Sequence, residues 1–184
     1  MDWLLIIVML PLLAAVAVGF VPDRQRRVIR GITIGASGLS LLCALIAFLS
    51  FEIDGELKFE TKVLWVESLG LYFHLAADGI NIGIILMGAI VAFAAACCAN
   101  DITHRVKEFH ILLNVMIGGI LGAFASMDLF FFYFFHELAL VPTFIMIGVW
   151  GRGANRNYAT YKITLYLSLG ALLALVGLIM IYLH

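Results

Sequence analysis

Charge is what this 184-residue sequence has least of: Asp, Glu, Lys and Arg make up only 12% of it, against about 25% in a soluble domain. The net charge is −1, so there is no basic surplus of the kind that draws a protein onto nucleic acid, and a nucleic-acid partner is excluded. Cysteine is also sparse. Cys43, Cys97 and Cys98 lie inside apolar segments and none stands in a C-x-x-C or Cys/His spacing, which excludes a disulfide framework and gives no metal or iron–sulfur site. They read as small packing residues. What is abundant is hydrocarbon, with 64% apolar residues and a mean hydropathy of +1.11. That composition belongs to an integral membrane protein whose solvent is the lipid bilayer.

The apolar runs predict an all-α integral membrane protein forming a single membrane domain over 1–184. Its helices fall at about 3–22, 29–51, 79–99, 109–127, 128–150 and 159–183, each close to the roughly 20 residues that a span needs. The first run has Asp2 where a signal peptide carries its basic residues, and it exceeds a typical signal core, so it reads as a retained helix. Nine basic residues, Arg24, Arg26, Arg27, Arg30, Arg105, Lys107, Arg152, Arg156 and Lys162, fall on one side of these spans, and only Lys58 and Lys62 on the other. The positive-inside rule therefore puts both termini on the non-cytoplasmic side. The longest loop, 52–78, then lies on the outer face. Its "GELKFETKV" alternates polar and apolar residues and "LGLYFHL" supplies a partner, which predicts a short outer-face β-hairpin.

One span carries a carboxylate. In "DLFFFYFFHELALVPTFIMIGVW", residues 128–150, Glu137 sits nine residues into the helix, about 13 Å along it at 1.5 Å per residue. That is near the middle of a roughly 30 Å hydrocarbon core. No Lys or Arg stands in the interior of any of the six spans to pair with it. An ionised acid at a helix centre costs about 3 kcal/mol, so the group is expected to hold its proton when alone and to release it when water or a cation approaches. That is the behaviour of a proton relay. The alternative is a protonated glutamate hydrogen-bonded to a neighbouring helix. Tyr133, one turn earlier, offers a hydroxyl, and Pro142 frees the carbonyl of Leu138 as an anchor for water. Gly118 and Gly122 form a small-xxx-small pair expected to bring the fourth helix close to the acid.

His136 is adjacent in sequence but about 100° away around the helix, and both packing and proton transfer remain open for it. Lys162 stands at the entrance of the sixth helix, where snorkelling to the interface and proton uptake are the two readings. Asp78 and Asp128 immediately precede helices; each reads as an N-cap, with a proton-exit role as the alternative. "HELAL" is not a zinc motif, because Leu140 replaces the second histidine, and "GRGAN" is not a nucleotide loop. "LFFFYFF" reads as lipid and core packing.

"LYFHLAADGINIG", "NVMIGGILGAFASMDLFFFYFFHELALVPTFIMIGVWG" and "ATYKITLYLSLGALLALVGL" together resemble the antiporter-like subunit M family of the proton-pumping NADH:quinone oxidoreductase, complex I. "FFHELALVPTFIMIGVWG" is the most specific segment. The resemblance implies that Glu137 is a proton-transfer residue paired with a lysine on a seventh, broken helix. It also implies neighbouring membrane-arm subunits, other antiporter-like ones among them, as partners in the inner (cytoplasmic) membrane. NADH, FMN, iron–sulfur clusters and quinone would belong to those partners, with no cofactor in this chain. Members of the family have about fourteen helices, so a chain with six is expected to lack the later ones, as half a channel. The same fold in a cation/proton antiporter or a membrane-bound hydrogenase complex, and a self-contained carrier or structural scaffold, are the alternatives.

Overall fold

The structure is a computed structural model and describes residues 2–52, 56–67, 70–153 and 155–183. Six helices follow the six apolar runs: α1 (Trp3–Phe20), α2 (Arg26–Leu49), α3 (Asn81–Cys98), α4 (Val106–Ala125), α5 (Leu129–Trp150) and α6 (Arg156–Leu183). All six are long and apolar enough to cross a membrane, and the chain is a multi-pass membrane protein. A two-stranded antiparallel hairpin, β1 (Lys58–Val66) and β2 (Leu71–Ala77), joins α2 to α3. Gly55 and Leu69, which belong to the stretches expected to form it, lie outside the described residues.

The helix bounds depart from the hydropathy reading by one to three residues, with α3 beginning two residues later than expected, at Asn81. α2, α4 and α6 each begin three residues earlier than expected, at Arg26, Val106 and Arg156. Hydropathy marks where the hydrocarbon begins, whereas backbone hydrogen bonding continues into the polar interface, where basic side chains stay hydrated while the helix extends. Two prolines sit inside unbroken helices, Pro11 in α1 and Pro142 in α5, and both are buried.

α4 is the centre of the bundle. α1 and α5 pack along it, α2 leans on α1 and also touches α4, α3 packs on α2 and α4, and α6 rests on α5. Glycines set the closest of these contacts, although the pair that faces α5 differs from the one expected. A Cβ on Gly119 would stand 2.7 Å from the Ala139 nitrogen and 2.9 Å from the Phe135 carbonyl oxygen, and one on Gly122 would stand 2.5 Å from the Phe135 ring. Gly118 instead faces α1, where a Cβ would meet Leu12. Three residues separate Gly119 from Gly122, so they share a helix face. Gly118 is displaced from Gly119 by about 100° and looks at a different neighbour.

The hairpin is part of the core rather than an appendage. Leu75, Ala76 and Ala77 are fully buried. The Met127 amide donates to the His74 carbonyl at 2.9 Å, and Leu75 pairs with Ser126. The strand therefore pins the short α4–α5 connection. Phe73 packs edge-on to Phe131 and also meets Phe135, and Trp65 packs edge-on to Phe131. The aromatic run thus divides as a helix must: Phe131 and Phe135 are buried, while Phe130, Phe132 and Phe134 are exposed.

Gly119→Val should separate α4 from α5, because the new side chain meets backbone that has nowhere to go. Overpacking of this kind costs about 1–3 kcal/mol or more. Gly118→Ala, whose close contacts are with the Leu12 side chain rather than with backbone, should cost less. Thermal unfolding of the two variants in the same lipid or detergent checks the order.

Candidate functional site

α5 is positioned from its first turn. The Asp128 carboxylate accepts from the amides of Phe130 and Phe131 at 2.9 and 3.3 Å, closing the helix start as an N-cap does. Asp78 does the same ahead of α3. It accepts from the amides of Ile80 and Asn81 at 2.8 and 2.6 Å, while the Asn81 side chain accepts from the Asp78 amide at 2.7 Å. Each acid therefore has its Oδ1 committed to a helix end.

Glu137 is different. Its side chain is 32% exposed, yet Oε1 is buried and has no hydrogen-bond partner among the described residues. The backbone just beyond it, Leu138 and Ala139, lies against Gly119, so the acid is carried by the most tightly packed stretch of α5. The Tyr133 hydroxyl donates to the Ala171 carbonyl on α6 at 3.4 Å and also stands near enough to Glu137 to interact with its carboxylate.

His136 comes closer to the acid than helical geometry alone suggests. Its Nδ1 lies 4.0 Å from Glu137 Oε1. This is beyond hydrogen-bond reach, but an imidazolium there would neutralise a carboxylate. The ring is 47% exposed and stacks between Phe132 and Tyr133, with centroids 6.4 and 6.5 Å away. Lys162 is not brought to the pair. It is exposed in the second turn of α6, with Nζ 5.8 Å from the centre of the Tyr158 ring. Thr160 of α6 lies against Gly148 of α5, and eleven residues of helix separate Gly148 from Glu137, about 16 Å of rise. Pro142 is buried, and the next residue, Thr143, donates to the Ala139 carbonyl at 2.9 Å and approaches the Met116 sulfur at 3.5 Å.

Among the described residues no group of three or more His, Cys, Asp or Glu side chains is placed to hold a metal. Cys97 and Cys98 are exposed and Cys43 is buried, all three as free thiols. These side chains do not form a cage for a metal or an iron–sulfur cluster. The sequence reading missed one polar group in the bundle, formed by Thr33, His110 and Asn114, all fully buried between α2 and α4. The signal was available. His110 and Asn114 are four apart on an otherwise apolar helix, as are Thr33 and Ser37, a spacing that puts each pair on one face.

A bundle of membrane-spanning helices with a carboxyl at mid-helix, one oxygen of which accepts no hydrogen bond among the described residues, defines a class, the membrane proteins that keep an ionisable group inside the bilayer. Comparison with known proteins narrows it. The family described as NADH:quinone oxidoreductase/Mrp antiporter, TM, matches residues 126–184, a segment containing Glu137, His136 and Lys162. The NAD(P)H-quinone oxidoreductase chain 4 of the Angiopteris evecta chloroplast is 33% identical over 186 residues, covering 100% of this chain and 37% of that protein. The corresponding chain 4 of Gloeobacter violaceus is 33% identical over 184 residues, covering 98% and 34%. The chain thus spans about a third of the length of the relatives it matches. In structure it resembles a chain of respiratory complex I from Thermus thermophilus with a TM-score of 0.75 and 27% identity, over 92% of this chain and 33% of that one. It also shares the fold of a chain of the membrane-bound sulfane sulfur reductase, an archaeal respiratory membrane complex, with a TM-score of 0.80 at 20% identity, over 99% and 37%. Sequence and fold agree in matching this chain to an antiporter-like complex I subunit.

Tyr133→Phe should leave the helix pairing intact. The bond it removes is long, and a single neutral hydrogen bond contributes only about 0.5–1.5 kcal/mol net. A fall in thermal stability well beyond that range would show the hydroxyl to be a principal tie between α5 and α6.

Proposed function

We propose that this chain is part of a proton-translocating membrane-arm subunit of a respiratory NADH:quinone oxidoreductase, and that Glu137 carries the proton. The observation behind this reading is the Glu137 oxygen that is buried without a hydrogen-bond partner, on the segment that matches the family. A buried carboxyl oxygen with no fixed donor is open to a proton, a water or a cation, and ionisable groups inside spans mark proton and ion paths. His136, with Nδ1 4.0 Å away, is the adjacent relay. Lys162, at the basic end of α6, is the uptake group. In the whole subunit the counter-charge to Glu137 is supplied by a later helix. NADH, FMN, iron–sulfur clusters and quinone reside in partner subunits, and neighbouring antiporter-like subunits flank this one. The chain lies in the inner (cytoplasmic) membrane with both termini on the non-cytoplasmic side, because the Arg- and Lys-rich ends of its helices face the cytoplasm. That orientation puts the β1–β2 hairpin on the outer face.

The matching family description also names the Mrp antiporter, so a cation/proton antiporter is the second reading. It differs in what drives transport: the exchange of a cation for protons down an ion gradient rather than electron transfer from NADH to quinone.

In the assembled complex Glu137→Gln should leave assembly intact and lower NADH-driven proton pumping by roughly tenfold or more, the scale lost with a proton-transfer group. The amide keeps the shape and the hydrogen bonding but cannot change protonation. Moving one charge against 100 mV costs about 2.3 kcal/mol, so a relay group has to load and unload in every cycle. Glu137→Asp should be milder. Unaltered pumping by Glu137→Gln would make the residue a structural acid, and pumping that follows sodium rather than NADH would favour the antiporter.

Orientation is tested separately. With Cys43, Cys97 and Cys98 replaced, a membrane-impermeant thiol reagent applied to intact cells should label Leu57→Cys but not Arg26→Cys. The reverse pattern would invert the topology.

A further inference from the structure

The Thr33–His110–Asn114 group lies away from Glu137, since α5 meets α4 through Gly119 and Gly122 whereas Asn114 reaches across to α2. Its hydrogen bonding is well defined. His110 Nδ1 lies 2.8 Å from the Val106 carbonyl. A carbonyl only accepts, so Nδ1 carries the hydrogen, and in the neutral ring Nε2 is a bare acceptor. Asn114 Nδ2 donates both of its hydrogens, to the His110 carbonyl at 2.8 Å and to Thr33 Oγ1 at 2.9 Å. That fixes the amide orientation and leaves Oδ1 an acceptor. Across the contact, the Arg30 guanidinium donates through Nη2 to the Ile102 carbonyl at 2.8 Å, and its Nε–H is a donor.

Three of these atoms, His110 Nε2, Asn114 Oδ1 and Arg30 Nε, are buried with no hydrogen-bond partner among the described residues. They belong to one place in the bundle. His110 and Asn114 are a turn apart on α4, and Arg30 is three residues before Thr33 on α2, so each pair shares a face. Both helices start at the same end of the bundle, and Arg30 and His110 are each the fifth residue of their helix, hence at the same level. Arg30 is near enough for its charge to act on the His110 ring.

We propose that the α2–α4 contact is a water-binding site, in which one buried water molecule donates to His110 Nε2 and Asn114 Oδ1 and accepts from Arg30 Nε–H. Two acceptors and one donor are the complement of a single water, and about three such bonds are what a buried water ordinarily makes. The two acceptors alone would also suit a sodium ion. The guanidinium decides against it, because its donor and positive charge lie at the same contact and repel a cation. The water completes the link that Asn114 and Thr33 begin between α2 and α4.

The test uses the full chain in lipid nanodiscs with nitrogen-labelled histidine rings, read by solid-state NMR. His110→Gln identifies the His110 signals. Nε2 of His110 should be unprotonated, should receive magnetisation from water protons, and should not shift when sodium is exchanged for choline. Asn114→Leu, which removes one of the water's two acceptors, should lose most of that transfer. An Nε2 that receives nothing from water, or that carries the ring hydrogen, would overturn the site, and a sodium-dependent shift would replace the water with a cation. Should either variant fail to fold, substituting the other four histidines of the chain's five isolates the His110 signal, and the unsubstituted protein then decides the question.

Discussion

Where α4 has no side chains, α5 comes into backbone contact with it, and the placement of Glu137 depends on that contact. Gly119 and Gly122 leave room for Phe135, Leu138 and Ala139, the residues on either side of the acid in the helical sequence. Lipid tails are as apolar as leucine, so membrane helices gain little from hiding hydrocarbon from each other and much from packing closely. A glycine seam is how α4 and α5 obtain that gain. The hairpin reinforces it from one end, since the Met127–His74 bond and the Phe73–Phe131 contact fix the short connection between the two helices. The acid is therefore held in place by its backbone, while one of its oxygens makes no hydrogen bond.

Charge is distributed around that arrangement with little waste. The basic residues at the ends of the spans have partners or interfacial positions. Arg30 donates to the Ile102 carbonyl, Arg105 pairs with Glu108, and Lys107 lies 3.8 Å from Asp23. None is at the depth of Glu137. Lys162 stands over its own helix neighbour Tyr158, about 16 Å of helical rise or a little less from the acid. Among the described residues the only basic group in reach is His136, and its side chain is about half exposed. A carboxyl so placed responds to whatever approaches it from outside the six helices.

Much of this was legible in the residues and some was not. Hydropathy located all six spans, because the bilayer imposes one length on every helix. It misplaced the starts of α2, α4 and α6, since helical hydrogen bonding does not stop where hydrocarbon does. Alternation located the hairpin, yet no local signal said that Leu75–Ala77 would be buried under the α4–α5 turn. The small-residue motif was visible, but Gly118-x-x-x-Gly122 was the wrong reading of Gly118-Gly119-x-x-Gly122. Two adjacent glycines face different neighbours, and a one-residue choice of register requires the partner helix to be known. The same limit applies to the hydroxyl of Tyr133, which is close to Glu137 in sequence and donates to α6. The buried Thr33–Asn114 bond joins residues 81 apart in sequence, which no periodicity reveals.

The polar side chains of this bundle also show why Glu137 is hard to explain as structure. Where an acid here serves the fold, one of its oxygens is occupied twice: Asp78 and Asp128 each accept two backbone amides through Oδ1 at a helix start. Hydroxyls inside spans also find carbonyl acceptors, Ser37 at Thr33 and Thr143 at Ala139 on their own helices, and Ser40 at Ile7 on α1. Buried polar atoms without partners are costly, about 1–3 kcal/mol each, and most of the chain avoids them. Inside the spans they gather at two places on opposite sides of the α4 packing, Glu137 on α5 and the His110–Asn114–Arg30 contact with α2. At the second place donors and acceptors are balanced for a small neutral ligand. At the first, one carboxylate oxygen accepts no hydrogen bond among the described residues and His136 Nδ1 stands 4.0 Å away, so a proton on the acid, a water or a positive group brought to it relieves the cost.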